Sequence, residues 1–155
     1  MHRTRKLLFV VNPHAGKAAI RGQLLRIVET FVRAGWMPTI YTSQRSGELP
    51  ALVAREAPNY DLVICSGGDG TLNEAVTGAL GFDNVAVTVF SGGSGNDFVK
   101  IFDEPKAFFD LHRLMDAEET TFDLIRCNDD IALNICSVGL DARVGTDIAR
   151  FKRHP

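Results

Sequence analysis

Hydrophobic positions along the chain follow two rhythms in turn, unbroken short runs and a period near 3.6 residues, and this succession predicts the elements. Lys6–Val11 is a continuous apolar run closed by Asn12-Pro13, the pattern of a strand buried on both faces of a parallel sheet. Leu24, Leu25, Ile27, Val28, Phe31 and Val32 then recur at helical spacing and stop at Gly35, predicting a helix over Lys17–Ala34. Met37–Thr42 reads as a second strand, Glu48–Ala57 as a short helix, and Leu62–Cys65 as a third strand that opens into a glycine loop, Ser66–Gly70. Leu72, Ala75, Val76, Ala79 and Leu80 share one helical face, with Thr71 and Glu74 spaced as a capping box. Val85–Phe90 is a fourth strand, followed by a second glycine loop, Ser91–Gly95.

Four alternations of strand and helix predict an α/β fold, a parallel sheet flanked by helices, with ligands at the carboxyl ends of the strands. The rhythm then changes. A helical stretch covers Pro105–Asp116, and Thr120–Cys127 and Ile131–Val138 flank Asn128-Asp129-Asp130 as an antiparallel hairpin. A last helix is expected over Gly139–Arg153. The change of rhythm divides the chain into an α/β part over 1–117 and a hairpin-bearing part over 118–155.

The chain has 155 residues, 45% of them hydrophobic and 23% charged, which suits a globular core and excludes a disordered chain. Its longest apolar run, Leu7–Val11, is far short of a membrane span, and the same run after Arg3, Arg5 and Lys6 is too short for an export signal. Cys65, Cys127 and Cys136 form no C-x-x-C pair, which argues against a disulfide framework or a structural zinc site and for a cytoplasmic setting. The net charge of −2 hides an uneven distribution, +6 over residues 1–60, −11 over 61–149 and +3 over 150–155. An acidic middle does not fit a nucleic-acid footprint, but it can supply metal carboxylates. The four histidines lack metal-ligand spacing and read as surface residues. Arg143, Arg150, Lys152 and Arg153 around Val144, Ile148 and Phe151 read as a solvated helix, with peripheral contact to an anionic membrane as the competing reading.

Six of the 14 glycines lie in the two loops after strands three and four. Glycine lets a ligand approach backbone N–H groups, and a helix N-terminus behind the loop favours an anion, so the pattern suits phosphate. The familiar signatures nevertheless fail. Gly16-Lys17 is followed by Ala18 and lacks the P-loop frame, G-x-G-x-x-G ends at Asn73 or Phe98 instead of glycine, and Asn96 spoils G-x-S-x-G.

Three segments in order, Asn12-Pro13-His14-Ala15-Gly16-Lys17, Gly67-Gly68-Asp69-Gly70-Thr71-Leu72-Asn73-Glu74 and Gly93-Ser94-Gly95-Asn96-Asp97-Phe98, resemble the diacylglycerol kinase catalytic-domain family of lipid kinases. Ser94 stands where that family usually has threonine, and the hydroxyl is kept. The resemblance implies a fold like the N-terminal domain of NAD kinases and phosphofructokinases, and ATP- and Mg²⁺-dependent transfer of the γ-phosphoryl group to a lipid hydroxyl at a membrane surface. It also implies roles. Asn12, Pro13, Ala15, Gly16, Lys17, Gly67, Gly68, Gly70, Thr71, Asn73 and Glu74 would form the phosphate side, and Thr42, Ser94 and Asn96 would complete the nucleotide contacts. Asp69 and Asp97 would organise Mg²⁺, with Asp123 supporting the carboxylate network.

Several of these have plainer readings. Glu74 is equally suited to closing a capping box, Asn73 to facing solvent, and Lys17 to a helix-start charge, although cations are disfavoured there. By the resemblance, 1–117 is expected to be the nucleotide-binding domain and 118–155 the start of the family's second, β-rich domain, apparently truncated, the rest of which would bring the general base. The expectation is therefore the nucleotide-binding half of a lipid kinase, with a possible homodimer among its partners. An NAD kinase, against which Asn96-Asp97-Phe98 argues, and a non-catalytic nucleotide-binding or regulatory module are the alternatives.

Overall fold

The computed structural model describes residues 4–13, 19–92, 95–137 and 142–143. They fall into two compact units that divide between Phe122 and Asp123.

In the first unit, β1 (Arg5–Val11), α1 (Ala19–Arg33), β2 (Trp36–Thr42), α2 (Leu49–Glu56), β3 (Leu62–Gly67), α3 (Asp69–Ala79) and β4 (Ala86–Ser91) succeed one another. The strands form one parallel sheet in the order β2-β1-β3-β4. β1 is central and its last five residues are buried, as its unbroken apolar run requires, whereas β2 at the edge alternates in exposure. Side chains alternate across the sheet. Leu7, Phe9 and Val11 join Leu62 and Ile64 in a core cluster with Ile27 and Phe31 of α1, and the Phe9 and Phe31 rings meet edge to face at 5.2 Å. Leu8, Val10, Val63 and Cys65 occupy the alternate positions, and Leu52 and Val53 of α2 and Leu72 and Ala75 of α3 are buried as well. Gly35, at φ 82°, turns the chain out of α1 where an L side chain would be strained. Trp36 follows it into the core, its ring covered by the Arg5 guanidinium at 3.9 Å.

The structure corrects the sequence reading at several places. β3 runs on to Gly67, so the expected loop Ser66–Gly70 shrinks to Gly68 between a strand and a helix that begins at Asp69. Thr71 consequently lies inside the first turn, and the capping box with Glu74 does not form: Gly68 holds the N-cap position and no side chain caps it. The stretch Pro105–Asp116 is also broken. A 3₁₀ turn over Pro105–Phe109 ends at Asp110, which is extended, and α4 (Leu111–Met115) starts afresh. Asp110 accepts from the His112 N–H at 2.9 Å and caps α4, whose Leu111, Leu114 and Met115 complete the core beneath α1. Asp110→Ala is therefore expected to cost about 1 kcal/mol, read as a lower urea midpoint with an unchanged slope.

In the second unit, β5 (Ile125–Cys127) and β6 (Asp130–Ala132) pair antiparallel around Asn128 and Asp129, with Asn128 at φ 55°. The hairpin exists, but Thr120–Leu124 and residues 133–137 are not strand. The expected helix over 139–153 lies outside the described residues except for Ala142 and Arg143, which are helical.

Candidate active site

β1 lies between β2 and β3, so the chain reverses its direction of travel across the sheet there, and the carboxyl ends of β1 and β3 border the switch point where open α/β sheets bind ligands. The residues at those two ends are Asn12 and Gly67-Gly68. The Asn12 N–H donates to the Ser66 carbonyl at 3.1 Å, and its side-chain amide donates to Thr71 Oγ1 at 3.3 Å. The end of β1 is thereby fastened to the start of α3. Gly67 fits for a steric reason, since a Cβ there would collide with the Thr71 hydroxyl and its Cβ and Cγ2.

Asp69 makes the second fastening. Its Oδ2 accepts from the Asp97 N–H at 3.0 Å and its Oδ1 from the Phe98 N–H at 2.9 Å. These N–H groups open the 3₁₀ turn Phe98–Ile101, whose own N-cap residue, Asp97, provides no side-chain cap. One carboxylate at the head of α3 thus caps a helical turn beyond β4. Gly95 lies between: a Cβ on it would stand 3.2 Å from Asp69 Oδ2 and 3.6 Å from Asp97 Oδ2, so both acidic oxygens converge on a residue with no side chain. Asp97 Oδ1 receives the Lys100 ammonium at 2.6 Å, and both partners are more than half exposed, so this pair is screened.

The first turn of α3 carries backbone N–H groups that have no carbonyl partner within the helix and no side-chain cap. They belong to Asp69, Gly70 and Thr71, whereas Gly67 sits in the sheet, paired with Ser91 and accepting from the Gly92 N–H at 2.9 Å. Of the three glycines expected to form a phosphate cradle, Gly67 thus ends the strand, Gly68 holds the N-cap position and Gly70 lies in the first turn of the helix. The side of Gly70 where a Cβ would project is open, with nothing within 4 Å. The Ser66 and Ser91 hydroxyls at the ends of β3 and β4 are buried and have no hydrogen-bond partner among the described residues.

The structure brings Asn12, Gly67, Gly68, Asp69, Gly70, Thr71 and Asp97 together. Pro13 follows Asn12 in a turn and is half-buried. Asn73 and Glu74 sit one turn further along α3, half-buried, and the Asn73 carbonyl accepts from the Thr77 hydroxyl at 2.8 Å. Asn96, at φ 51°, is half-buried in the loop before Asp97. Thr42 pairs with Val11 at the end of β2, exposed, on the opposite side of β1 from β3. Asp123 opens the second unit and is exposed. Ala15, Gly16, Lys17 and Ser94 lie outside the described residues.

Sequence reasoning missed the Asp97–Lys100 pair, which the i, i+3 spacing could have flagged, and the Asp69 clasp, for which no local signal exists. Cys65 conforms to its expected core role: its thiol donates to the Thr88 carbonyl at 3.4 Å, and burial pushes it up to about 12. Among the described residues no three His, Cys, Asp or Glu side chains group as a metal cage, and no helix is long and apolar enough to cross a membrane.

Comparison with known proteins gives the chain its relatives. A diacylglycerol kinase of Bacillus subtilis (strain 168) is 30% identical over 105 residues, which cover 66% of this chain and 34% of that protein. A diacylglycerol kinase of Staphylococcus haemolyticus is 28% identical over 133 residues, covering 84% of this chain and 40% of the relative. The crystal structure of a diacylglycerol kinase from Bacillus anthracis superposes with a TM-score of 0.73 at 24% identity, over 96% of this chain and 53% of that one, a likeness of fold. The chain thus spans between about a third and a half of the length of these relatives. Residues 6–127, which contain all three loop segments and the clasp that joins two of them, match the model of the diacylglycerol kinase catalytic domain, and the chain belongs to that family.

Proposed function

We propose that this chain is the nucleotide-binding part of an ATP-dependent lipid kinase, which transfers the γ-phosphoryl group of ATP to a lipid hydroxyl at a membrane surface. The observation that carries the reading is the Asp69 clasp at the switch point, which holds the loop after β4 against the open N-terminus of α3. Phosphoryl transfer needs little covalent chemistry from a protein and much positioning. In this reading the N–H groups of Asp69, Gly70 and Thr71 orient the phosphates, helped by the partial positive charge of the helix end. Asn12 and the segment Pro13, Ala15, Gly16 and Lys17 flank them from the end of β1. Thr42, Ser94 and Asn96 would contact the nucleotide, with Asn73 and Glu74 behind the phosphates and Asp123 in a supporting role.

The carboxylates suit Mg²⁺. Mg²⁺ usually takes one or two protein carboxylates and fills its octahedron with waters and phosphate oxygens. The Asp69 and Asp97 oxygens converge on Gly95 and keep lone pairs beyond their hydrogen bonds, which supports such a donor set. When bound, the ion neutralises charge on the phosphate oxygens. The chain's own part is to hold the Asp69 carboxylate in place by its two backbone bonds, with the Asp97 carboxylate beside it.

Titration calorimetry of the chain with Mg²⁺-ATP is expected to give saturable heat and a raised melting temperature. Neither heat nor a thermal shift at millimolar nucleotide would sink the reading. Labelled phosphate appearing in NAD instead of in a diacylglycerol micelle, with the full-length protein, would replace the lipid acceptor with a dinucleotide.

A further inference from the structure

The turn that presents Asp97 is held by its backbone and by its rings. Asp69 accepts from the Asp97 and Phe98 N–H groups, which fastens the backbone where the 3₁₀ turn Phe98–Ile101 begins. Side chains seat the remainder. Val99 is buried, and the Phe98 ring, 8% exposed, meets Phe102 edge to face at 5.4 Å. Phe102 meets Phe108 at 4.9 Å, and Phe108 packs against the core cluster. Phe122 joins these rings from a later stretch of chain. Residues 116–121 are exposed and form neither helix nor strand, yet Phe122 lays its ring against Phe98 at 5.6 Å and Phe102 at 5.5 Å, closing a triangle of edge-to-face rings. It does so while 46% exposed, so its contribution comes from those two contacts more than from burial. It is also the last residue of the first unit.

We propose that Phe122 is a positioning residue for the Asp97 carboxylate, acting through Phe98. Asp69 holds the Phe98 N–H and Phe122 holds the Phe98 ring, so one residue is fixed at both its backbone and its side chain. Asp97 precedes it directly. With the ring contact in place the turn cannot pivot about the Asp69 bonds, and the Asp97 oxygen stays beside that of Asp69, where both face Gly95. Without the contact the backbone bonds alone set the angle of the turn, and the spacing of the two carboxylates loosens. Such loosening matters for a shared cation, because Mg²⁺ demands near-ideal octahedral geometry. Phe122 itself carries no group that binds a metal or a phosphate. The proposal rests on the reading in which Asp69 and Asp97 hold Mg²⁺, and it adds a residue 25 positions from Asp97 to what keeps them in place.

The test compares Phe122→Ala, Phe122→Tyr and Phe109→Ala in the full chain. Phe109 is 54% exposed and enters none of these ring pairs, so its loss removes a similar ring and leaves the triangle whole. Two quantities are read: hydrogen exchange of the Phe98 amide in the metal-free chain, resolved by NMR, and the Mg²⁺ concentration that half-saturates the chain at fixed ATP. In Phe122→Ala the Phe98 amide is expected to exchange about tenfold faster and the Mg²⁺ requirement to rise about three- to tenfold, the scale of two lost aromatic pairs. ATP binding in EDTA should not change. Phe122→Tyr keeps the ring and should restore both quantities, and Phe109→Ala should leave both native. A loss of stability alone leaves the chain folded at 25 °C and does not move the Mg²⁺ requirement. Native exchange at Phe98 in Phe122→Ala would overturn the proposal, and so would faster exchange with a native Mg²⁺ requirement. A native chain that binds no Mg²⁺-ATP overturns the reading of the site as well, whereas one that binds it no better than Phe122→Ala overturns the proposal alone.

Discussion

Asp69→Ala is expected to lower the melting temperature by roughly 4–8 °C and to weaken Mg²⁺-ATP binding at least about tenfold. The first effect follows from its two backbone bonds. Removing the carboxylate leaves the Asp97 and Phe98 N–H groups without their partner, and losing charge-assisted bonds of this kind costs about 2 kcal/mol in total, since the Asp97 N–H can turn to water and the part-buried Phe98 N–H cannot. The second effect follows from the proposed role in metal binding, where loss of an outer carboxylate already costs about 10- to 100-fold. Asp69→Asn separates the two. An amide oxygen still accepts one N–H bond, so most of the stability should remain, while the charge that would attract Mg²⁺ is gone. If Asp69→Asn melts well below the native chain and yet binds Mg²⁺-ATP as the native chain does, Asp69 is a clasp alone and the metal role falls.

That clasp marks the boundary of what the sequence discloses. The buried strands were legible because a parallel strand covered on both faces is written as an unbroken apolar run, and Leu7–Val11 and Leu62–Cys65 are of that kind. α1 was legible because Ile27 and Phe31 repeat at helical spacing and Gly35 ends them. The loop motifs pointed to the strand ends as the place of the candidate site. What could not be read is how the loops hold one another. Asp69 and Phe98 are 29 positions apart, and only the sheet order β1-β3-β4 makes them neighbours. The capping box failed for a related reason: β3 continues in register with β4 through Gly67, and the helix follows directly with Gly68 at its N-cap, three residues before Thr71. Thr120–Cys127 looked like a strand because Thr121 and Phe122 favour one, but Phe122 instead packs its ring on Phe98 and Phe102, at 5.6 and 5.5 Å, and pairing begins only at Ile125.

Glycines in helices expose the same limit, and two of them should respond to alanine in opposite senses. In sequence, Gly22 and Gly78 are alike, each an interruption in a helical pattern that alanine would improve by about 1 kcal/mol. In the structure, Gly22 on α1 has nothing within 4 Å of a built Cβ. Gly78 on α3 faces α2, where a Cβ would stand 2.5 Å from the Pro50 carbonyl oxygen, 2.8 Å from Val53 Cβ and 3.0 Å from Pro50 Cα. Two of these three atoms are backbone and the third is the branch point of a fully buried side chain, so no rotamer change relieves the overlap, and α2 and α3 must separate. Gly22→Ala is expected to raise the urea midpoint, by up to about 1 kcal/mol of stability. Gly78→Ala is expected to lower it by a net 1–3 kcal/mol, roughly the usual cost of overpacking a core. Because α3 also carries Asp69 and Thr71, its displacement should reach the site: Mg²⁺-ATP binding should weaken in Gly78→Ala and hold in Gly22→Ala. A Gly78→Ala chain as stable as the native one would show that α2 and α3 yield without cost, and the rigidity of the helix that presents the clasp would have to come from the sheet alone.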